Sequence, residues 1–317
     1  MKITVVVPVM NERPTLERLV QDVIEHIAPH RYRIIFVDDG STDDSWGEMQ
    51  RLVKAYPHVE AIRFPHNFGK TPALDAAFRE ADGDLVLMMD ADLQDDPKEI
   101  PRLLEKLDEG YDMVCGWKAT RHDPWHKVLP SRLFNATISF VFGFDLRDIN
   151  TGFKIMRLPV AKNLLLFAEM HRMLAVQAHE QGYRVAEIPV THHPRRFGHS
   201  KFGLERIYRG LRDAFTVWLI YRCKGGPARH FGRASAVLFG CALLTLTAVI
   251  ALGHTLPLDL LLERTTVGFF TALTVLSAVA IGVGIFMLCM GVWGARLITR
   301  IPELPVDYPV ADRIGGE

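Results

Sequence analysis

Two stretches in the C-terminal third carry no charged residue: Ala234 to Leu252, 19 positions, and Thr265 to Ala295, 31 positions. A helix rises about 1.5 Å per residue, so each can cross a hydrocarbon layer of about 30 Å. Two such runs back to back point to a membrane hairpin rather than to a pair of buried core helices. The loop between them, Gly253 to Arg264, holds His254, Pro257, Asp259, Glu263 and a single arginine. Arg229 and Arg233 flank one outer end, Arg296 and Arg300 the other. The positive-inside bias then puts both termini in the cytoplasm. Met1 to Met10 is only a strand's length of apolar sequence and runs into Asn11-Glu12-Arg13, so it is not a signal peptide. The large segment ahead of the hairpin is expected to stay cytoplasmic.

That segment alternates. Ile3 to Val9, Arg33 to Val37, Val59 to Phe64 and Leu85 to Met89 are β-branched or apolar runs of buried-strand length. Between them, Thr15 to Ile27, a stretch through Trp46, Met49, Leu52 and Val53, and Thr71 to Ala81 have helical spacing. Pro97 to Glu109 follows as a helix, and Met113 to Gly116 closes the series. The pattern implies an α/β fold with a doubly wound, mostly parallel sheet. Lys+Arg and Asp+Glu balance at 37 each, which gives no argument for a nucleic-acid partner. Four scattered cysteines without a CxxC pair read as reduced, packed residues and not as a zinc site.

In such sheets ligands bind beyond the carboxyl ends of the strands, and here those ends are acidic. Asn11-Glu12 follows the first strand, Asp38-Asp39 the second, and Asp90-Ala91-Asp92-Leu93-Gln94 the fourth. Alternation along a strand end would turn Asp90, Asp92 and Gln94 to one side, a hard oxygen set suited to Mg²⁺ or Mn²⁺ on substrate phosphates. The same residues also suit an ordinary strand-to-helix turn, with Asp95 or Asp96 capping a helix at Pro97. The convergence of three acidic strand ends carries the site. An EF-hand is excluded because Asp95 stands where that loop needs glycine. Gly69-Lys70-Thr71 is not a Walker A ending, since position 64 is Phe; Lys70 either touches the nucleotide or starts its helix.

After Gly116 the alternation breaks. Leu129 to Phe144 and Leu164 to Gly182 are expected to be helices, Asp148 to Met156 a loop and strand, and Val185 to Val190 a strand. Arg195, Arg196, Ser200 and Lys201 lie in a basic loop suited to a second anion at the bilayer surface, or to a headgroup without a catalytic role. Phe202 to Tyr221 is a basic amphipathic helix expected in the headgroup layer. The tail after Arg300, with Pro302, Pro305 and Pro309, is expected to be irregular. These features together indicate group transfer from a soluble nucleotide donor to a membrane-embedded phosphate.

The motifs VVVPVMNE (Val5 to Glu12), VDDGS (Val37 to Ser41), HNFGK (His66 to Lys70), DADLQDDP (Asp90 to Pro97), DINTGFK (Asp148 to Lys154) and RRFGHSKFG (Arg195 to Gly203) occur in series. In that order the chain resembles family 2 glycosyltransferases, and more closely the polyprenyl-phosphate hexose synthases. The resemblance covers residues 1 to about 215. It implies a GT-A fold, followed by amphipathic interfacial helices and a two-helix transmembrane hairpin. It further implies a nucleotide sugar donor, a polyprenyl phosphate acceptor and residence in the inner (cytoplasmic) membrane.

By that resemblance Pro8, Asn11 and Glu12 shape the nucleoside pocket, and Asp38 or Asp39 bonds the base or ribose. Asp90, Asp92 and Gln94 hold Mg²⁺ or Mn²⁺ on the diphosphate. Lys118 and Arg132 match basic positions near the acceptor phosphate, and Arg195, Ser200 and Lys201 the acceptor-side loop. Asp92 and Asp148 are the candidate catalytic carboxylates; Asp148 would orient, although a cap before the Thr151-Gly152 turn explains it equally. The expected division is 1–201 catalytic, 202–230 juxtamembrane, 231–298 two spans and 299–317 cytoplasmic tail. Gly282 and Gly284 offer a close helix approach through which the anchor could make a homo-oligomer. A UDP-sugar is favoured over GDP-mannose. A processive polysaccharide synthase would carry a QxxRW motif, and no tryptophan here follows an arginine. A non-catalytic nucleotide-binding scaffold would tolerate loss of the rim carboxylates, all of which are present.

Overall fold

The computed structural model describes residues 1–118, 125–194, 205–223, 226–257, 260, 263–300 and 308–316, and their side chains except at 125–132, 205–208 and 300. The chain divides into two units, Met1–Val217 with Asp307–Glu317, and Trp218–Val306.

In the first unit β1 (Lys2–Val9), α1 (Arg13–Ile27), β2 (Arg31–Asp38), α2 (Ser45–Ala55), β3 (Val59–Arg63), α3 (Lys70–Glu80) and β4 (Leu85–Met88) alternate as the periodicity requires. A 3₁₀ turn at Pro97–Glu99 leads into α4 (Ile100–Asp108) and β5 (Met113–Lys118). There follow α5 (Trp125–Phe142), β6 (Lys154–Arg157), α6 (Leu158–Asn163), a 3₁₀ turn at Met170–Arg172, α7 (Leu174–Glu180), β7 (Val185–Val190) and α8 (Glu205–Arg222). The sheet order is β7-β5-β6-β4-β1-β2-β3-β8, where β8 is Asp312–Ile314.

β1 is the switch point. From it the chain winds outward through β2 and β3, then α3 carries it back to β4 on the other side of β1. The parallel strands are buried on both faces, hence their unbroken apolar runs. Val5, Val7, Phe36 and Leu87 pack with Leu16, Leu19, Leu103 and Leu107 of α1 and α4. β1 pairs with β4 only as far as Val6↔Met88. Pro8, with no N–H to give, falls where that ladder has ended, and the carboxyl ends of β1 and β4 mark the switch point at which sheets of this kind bind ligands.

β6 runs antiparallel between β4 and β5, with Met88↔Lys154 and Cys115↔Lys154 in register. Its reversed direction brings the 148–153 loop to the same rim as the carboxyl end of β4. Two expectations need correction. The stretch from Leu164 is not α-helical until Leu174 and holds only the 3₁₀ turn at Met170–Arg172. Ala168 adopts φ +48°, and the Gln177 amide pairs with Leu165, accepting from its N–H at 3.0 Å and donating to its C=O at 3.1 Å. Those bonds take the backbone groups that a helix would have used. The tail, expected irregular, ends as β8, antiparallel to β3.

In the second unit α9 (Pro227–Thr255) and α10 (Arg264–Arg300) are long and apolar enough to cross a membrane. They pack on each other: Ser235 Oγ donates to the Gly284 carbonyl at 2.9 Å, and a Cβ at Gly284 would meet Phe239 at 2.8 Å. Gly284 therefore serves the contact inside the hairpin, while the space beside Gly282 is open.

Candidate active site

The acidic strand ends are cross-linked loops. Asn11, at φ +61°, accepts at Oδ1 from Thr42 N (2.8 Å) and Asp43 N (3.2 Å), while its own N–H reaches Ser41 Oγ at 3.0 Å. Glu12 N donates to Ser45 Oγ at 3.0 Å. Asp38 is fully buried; its Oδ1 accepts from Ser41 N at 2.8 Å, and Arg63 Nε lies 3.3 Å from Oδ2. Asp39 grips a different segment, accepting from Phe68 N at 2.7 Å and Gly69 N at 2.9 Å. Burial raises its pKa, against the two amides that favour the anion.

The Asp39-bound segment runs into α3. Gly69 sits at φ +103°, the left-handed region that a side chain would strain, and Lys70 begins the helix. Lys70 Nζ bonds Asp90 Oδ1. Burial alone would raise the Asp90 pKa. Lys70 prevails by charge and hydrogen bond, aided by Lys118 and His171, and holds the carboxyl below its ordinary value. From the loop before β6, Gly152 lies so close that a Cβ there would fall 2.6 Å from Asp90 Oδ2.

Asp90 and Asp92 do not lie on a continuing strand, contrary to expectation. β4 stops at Met88, and the two carboxylates sit on a turn that Leu93 completes at φ +58°. Asp92 is buried and its Oδ1 accepts from Gln94 N at 3.1 Å. Gln94 turns towards the segment after β7, with Nε2 3.3 Å from the His193 carbonyl. His193 N donates back to Gln94 O at 2.8 Å, His193 Nε2 lies 2.9 Å from Asp96 Oδ2, and Thr191 Oγ1 donates to Glu99 at 2.8 Å. The acidic turn is thus sewn to residues 191–193, immediately ahead of the basic loop. Arg195, Arg196, Ser200 and Lys201 themselves lie outside the described residues, as does the side chain of Arg132; Lys118 is placed at the end of β5.

Asp148 is buried in the loop before β6, where Glu187 of β7 accepts from Arg147 N at 2.8 Å and Asp148 N at 3.0 Å. Lys154 lies fully buried beneath it, donating from Nζ to the carbonyls of Thr151 and Ile149. His171 Nδ1 lies 2.7 Å from Thr71 Oγ1, and burial, then Lys70 and Arg172, lower its pKa well below the ordinary value. The sequence reading missed Lys154, Glu187 and His171. A lysine inside an apolar strand was the available signal for the first; nothing local marks the other two.

No group of three or more His, Cys, Asp or Glu converges among the described residues. Asp90, Asp92 and Gln94, the residues expected to hold a cation, would offer it two carboxylates and an amide. So few hard oxygen donors suit Mg²⁺ or Mn²⁺, which would take their remaining ligands from phosphate and water.

The glycosyl transferase family 2 model matches residues 4–165. Dodecaprenyl-phosphate galacturonate synthase of Rhizobium johnstonii is 34% identical over 255 residues, 78% of this chain and 75% of that protein. Undecaprenyl-phosphate 4-deoxy-4-formamido-L-arabinose transferase of Edwardsiella ictaluri is 36% identical over 218 residues, 68% and 67% respectively. Among solved structures, glucosyl-3-phosphoglycerate synthase from Mycobacterium tuberculosis with phosphoglyceric acid superposes at TM-score 0.54 with 20% identity, over 69% of this chain and 79% of that one. The same enzyme with Mn²⁺, UDP-glucose and phosphoglyceric acid gives 0.53 at 19% identity, over 69% and 78%. These superpositions show the GT-A type of fold.

Proposed function

This chain belongs to glycosyl transferase family 2, and from that premise we propose that it is a membrane-anchored, inverting, metal-dependent hexosyltransferase. It moves a sugar from a nucleotide sugar, a UDP-sugar in the favoured case, to a polyprenyl phosphate. The relatives named for transfer to dodecaprenyl and undecaprenyl phosphate support the acceptor class. The observation that carries the reading is the stitching of the Asp90–Asp96 turn to residues 191–193. The stitched residues 191–193 lead in sequence to Arg195, Arg196, Ser200 and Lys201, which supports a reading in which an anionic acceptor meets a diphosphate donor at the acidic rim.

Pro8, Asn11, Glu12, Asp38 and Asp39 would wall the nucleoside side of the site, with Lys70 beside the diphosphate. Asp90, Asp92 and Gln94 would hold a divalent cation, which when bound neutralises charge on the departing diphosphate. Lys118, Arg132, Arg195, Arg196, Ser200 and Lys201 would bind the acceptor phosphate. A phosphate monoester is already an anionic nucleophile near neutral pH, so no strong general base is needed. Its oxygen bonds the anomeric carbon as the carbon–oxygen bond to the diphosphate breaks, which inverts the centre. Asp148 would orient the sugar, its loop fixed by Glu187 and Lys154.

α9 and α10 would span the inner membrane, with the catalytic unit and both termini cytoplasmic, as the arginines outside the hairpin favour. Transfer of radiolabel from a panel of UDP- and GDP-sugars into organic-extractable undecaprenyl phosphate tests the proposal. Lipid-linked product from at least one donor is expected. No product from any donor in the presence of Mg²⁺ and Mn²⁺ would refute it.

A further inference from the structure

The chain does not end at the second apolar helix. It leaves the first unit at Val217 and re-enters it at Asp307. Ala311 N donates to Arg63 O at 2.7 Å, and β8 pairs with β3 from Arg63↔Asp312 to Ala61↔Ile314. Ile314 packs against the core, and Arg313 pairs with Glu80 at 2.6 Å. Gly315 and Gly316 finish the contact at φ +80° and +83°. A Cβ at Gly315 would meet the Val59 carbonyl at 2.9 Å, and one at Gly316 the Glu60 carboxylate at 2.7 Å. Backbone pairing, an ion pair and two required glycines make this tail a fitted part of the sheet edge.

Ahead of β8, Tyr308 stands 5.7 Å from Phe64 and 5.9 Å from Phe68, ring centroid to ring centroid. Phe68 also meets Phe64 at 5.4 Å and His66 at 4.1 Å. The backbone N–H of this same Phe68 is held by Asp39, and two residues on Lys70 bonds Asp90. One short loop, 66–70, is therefore fixed through its amides by a rim carboxylate and through its aromatic side chain by the C-terminal tail.

We propose that Tyr308 is a positioning residue for the donor half of the site. It braces the 66–70 loop so that the Asp39-bound amides and Lys70 keep their places on the rim. The inference rests on the reading of that rim as a nucleotide-sugar site, and it adds that the segment beyond the membrane hairpin completes it. Loss of the ring loosens the loop and weakens donor binding, while acceptor binding and the chemical step stay nearly unchanged.

The test uses the full chain in detergent as wild type, Tyr308→Ala and Tyr308→Phe. Amide hydrogen exchange is followed across residues 66–70, binding of UDP and of GDP is measured with Mn²⁺, and steady-state constants are taken for donor and acceptor. For Tyr308→Ala, exchange at Phe68 and Gly69 should quicken about tenfold as local opening becomes easier. Donor KM should rise about tenfold with kcat and acceptor KM within about twofold, the mark of lost binding rather than lost chemistry. Tyr308→Phe, which keeps the ring, should match wild type in every readout. Unchanged exchange, or faster exchange with unchanged donor KM, in a wild type that does bind nucleotide would overturn the inference alone. A wild type that bound neither nucleotide would overturn the reading of the rim, and this inference with it.

Discussion

Lys70, the first residue of α3, bonds the carboxylate of Asp90 beyond the end of β4, joining two segments that flank the switch-point strand. Both side chains keep about a third of their surface open, 29% and 34%. The pair is therefore reached by solvent instead of lying in the core, and screening limits what it adds to stability. Its effect on charge placement is greater, because it keeps Asp90 ionised against burial.

Lys70→Met should accordingly leave folding nearly intact and injure transfer. The expected loss in kcat/KM is about 10²-fold, the scale for removing one group that stabilises a developing charge. Lys70→Arg should recover part of it. Initial rates with saturating acceptor, set beside thermal unfolding midpoints, check this; a midpoint drop as severe as the rate loss would refute a role in the site.

Gly152→Ala tests the close approach of the 148–153 loop to Asp90. An added methyl would stand 2.6 Å from Asp90 Oδ2, and the φ of Gly152 is not in the left-handed region, so the damage should come from displacing that carboxylate. A displacement of about 1 Å at a reacting centre can cost about 10²-fold in rate. Transfer should fall by about that factor while the unfolding midpoint moves by only a few degrees.

The β-branched runs that became β1 to β4 were legible because a strand buried on both faces has almost no compositional freedom. The acidic ends stood out against them for the same reason. β6 was not legible in its place: Lys154-Ile155-Met156-Arg157 reads as a strand, but nothing local says that it inserts antiparallel between β4 and β5. That insertion is what sets Gly152 against Asp90. Leu164 to Phe167 has helix-forming residues, and the Gln177 amide, distant in sequence, overrides them. β8 was hidden by its proline-rich approach and its three-residue length. In each case the deciding contact is long-range, and periodicity within a window cannot report it.

His171 predicts a pH dependence. Its folded-state pKa is depressed, by burial first and then by Lys70 and Arg172 against the opposing Asp90, so the native state resists the proton that the unfolded chain accepts. The stability this contributes is whole above the unfolded value of about 6.5 and is lost as pH falls from there towards the folded value, by up to about 1.4 kcal/mol per pH unit for one proton. Thermal unfolding of the wild type should weaken between about pH 6.5 and 5.5. His171→Asn, which can keep the bond to Thr71 without titrating, should show a shallower slope; equal slopes would remove His171 as the source.

Lys154 raises the question of why a fully buried ammonium is kept in a strand. Its Nζ holds the carbonyls of Ile149 and Thr151, and the charge of Asp148 opposes the burial that lowers its pKa. Those carbonyls belong to the loop that carries Asp148 and delivers Gly152 to Asp90. Lys154→Met fills the same volume and leaves the two carbonyls without their donor, a cost of about 1–3 kcal/mol for each buried group left unsatisfied. The unfolding midpoint should fall, as any core defect would make it do. The loop role predicts more: in the folded fraction, hydrogen exchange should rise across 148–153 while β1 to β3 stay protected, and transfer per folded molecule should drop about tenfold or more through lost orientation. If the surviving folded enzyme instead kept full specific activity with an ordered 148–153 loop, Lys154 would be a packing residue and Asp148 would need another support.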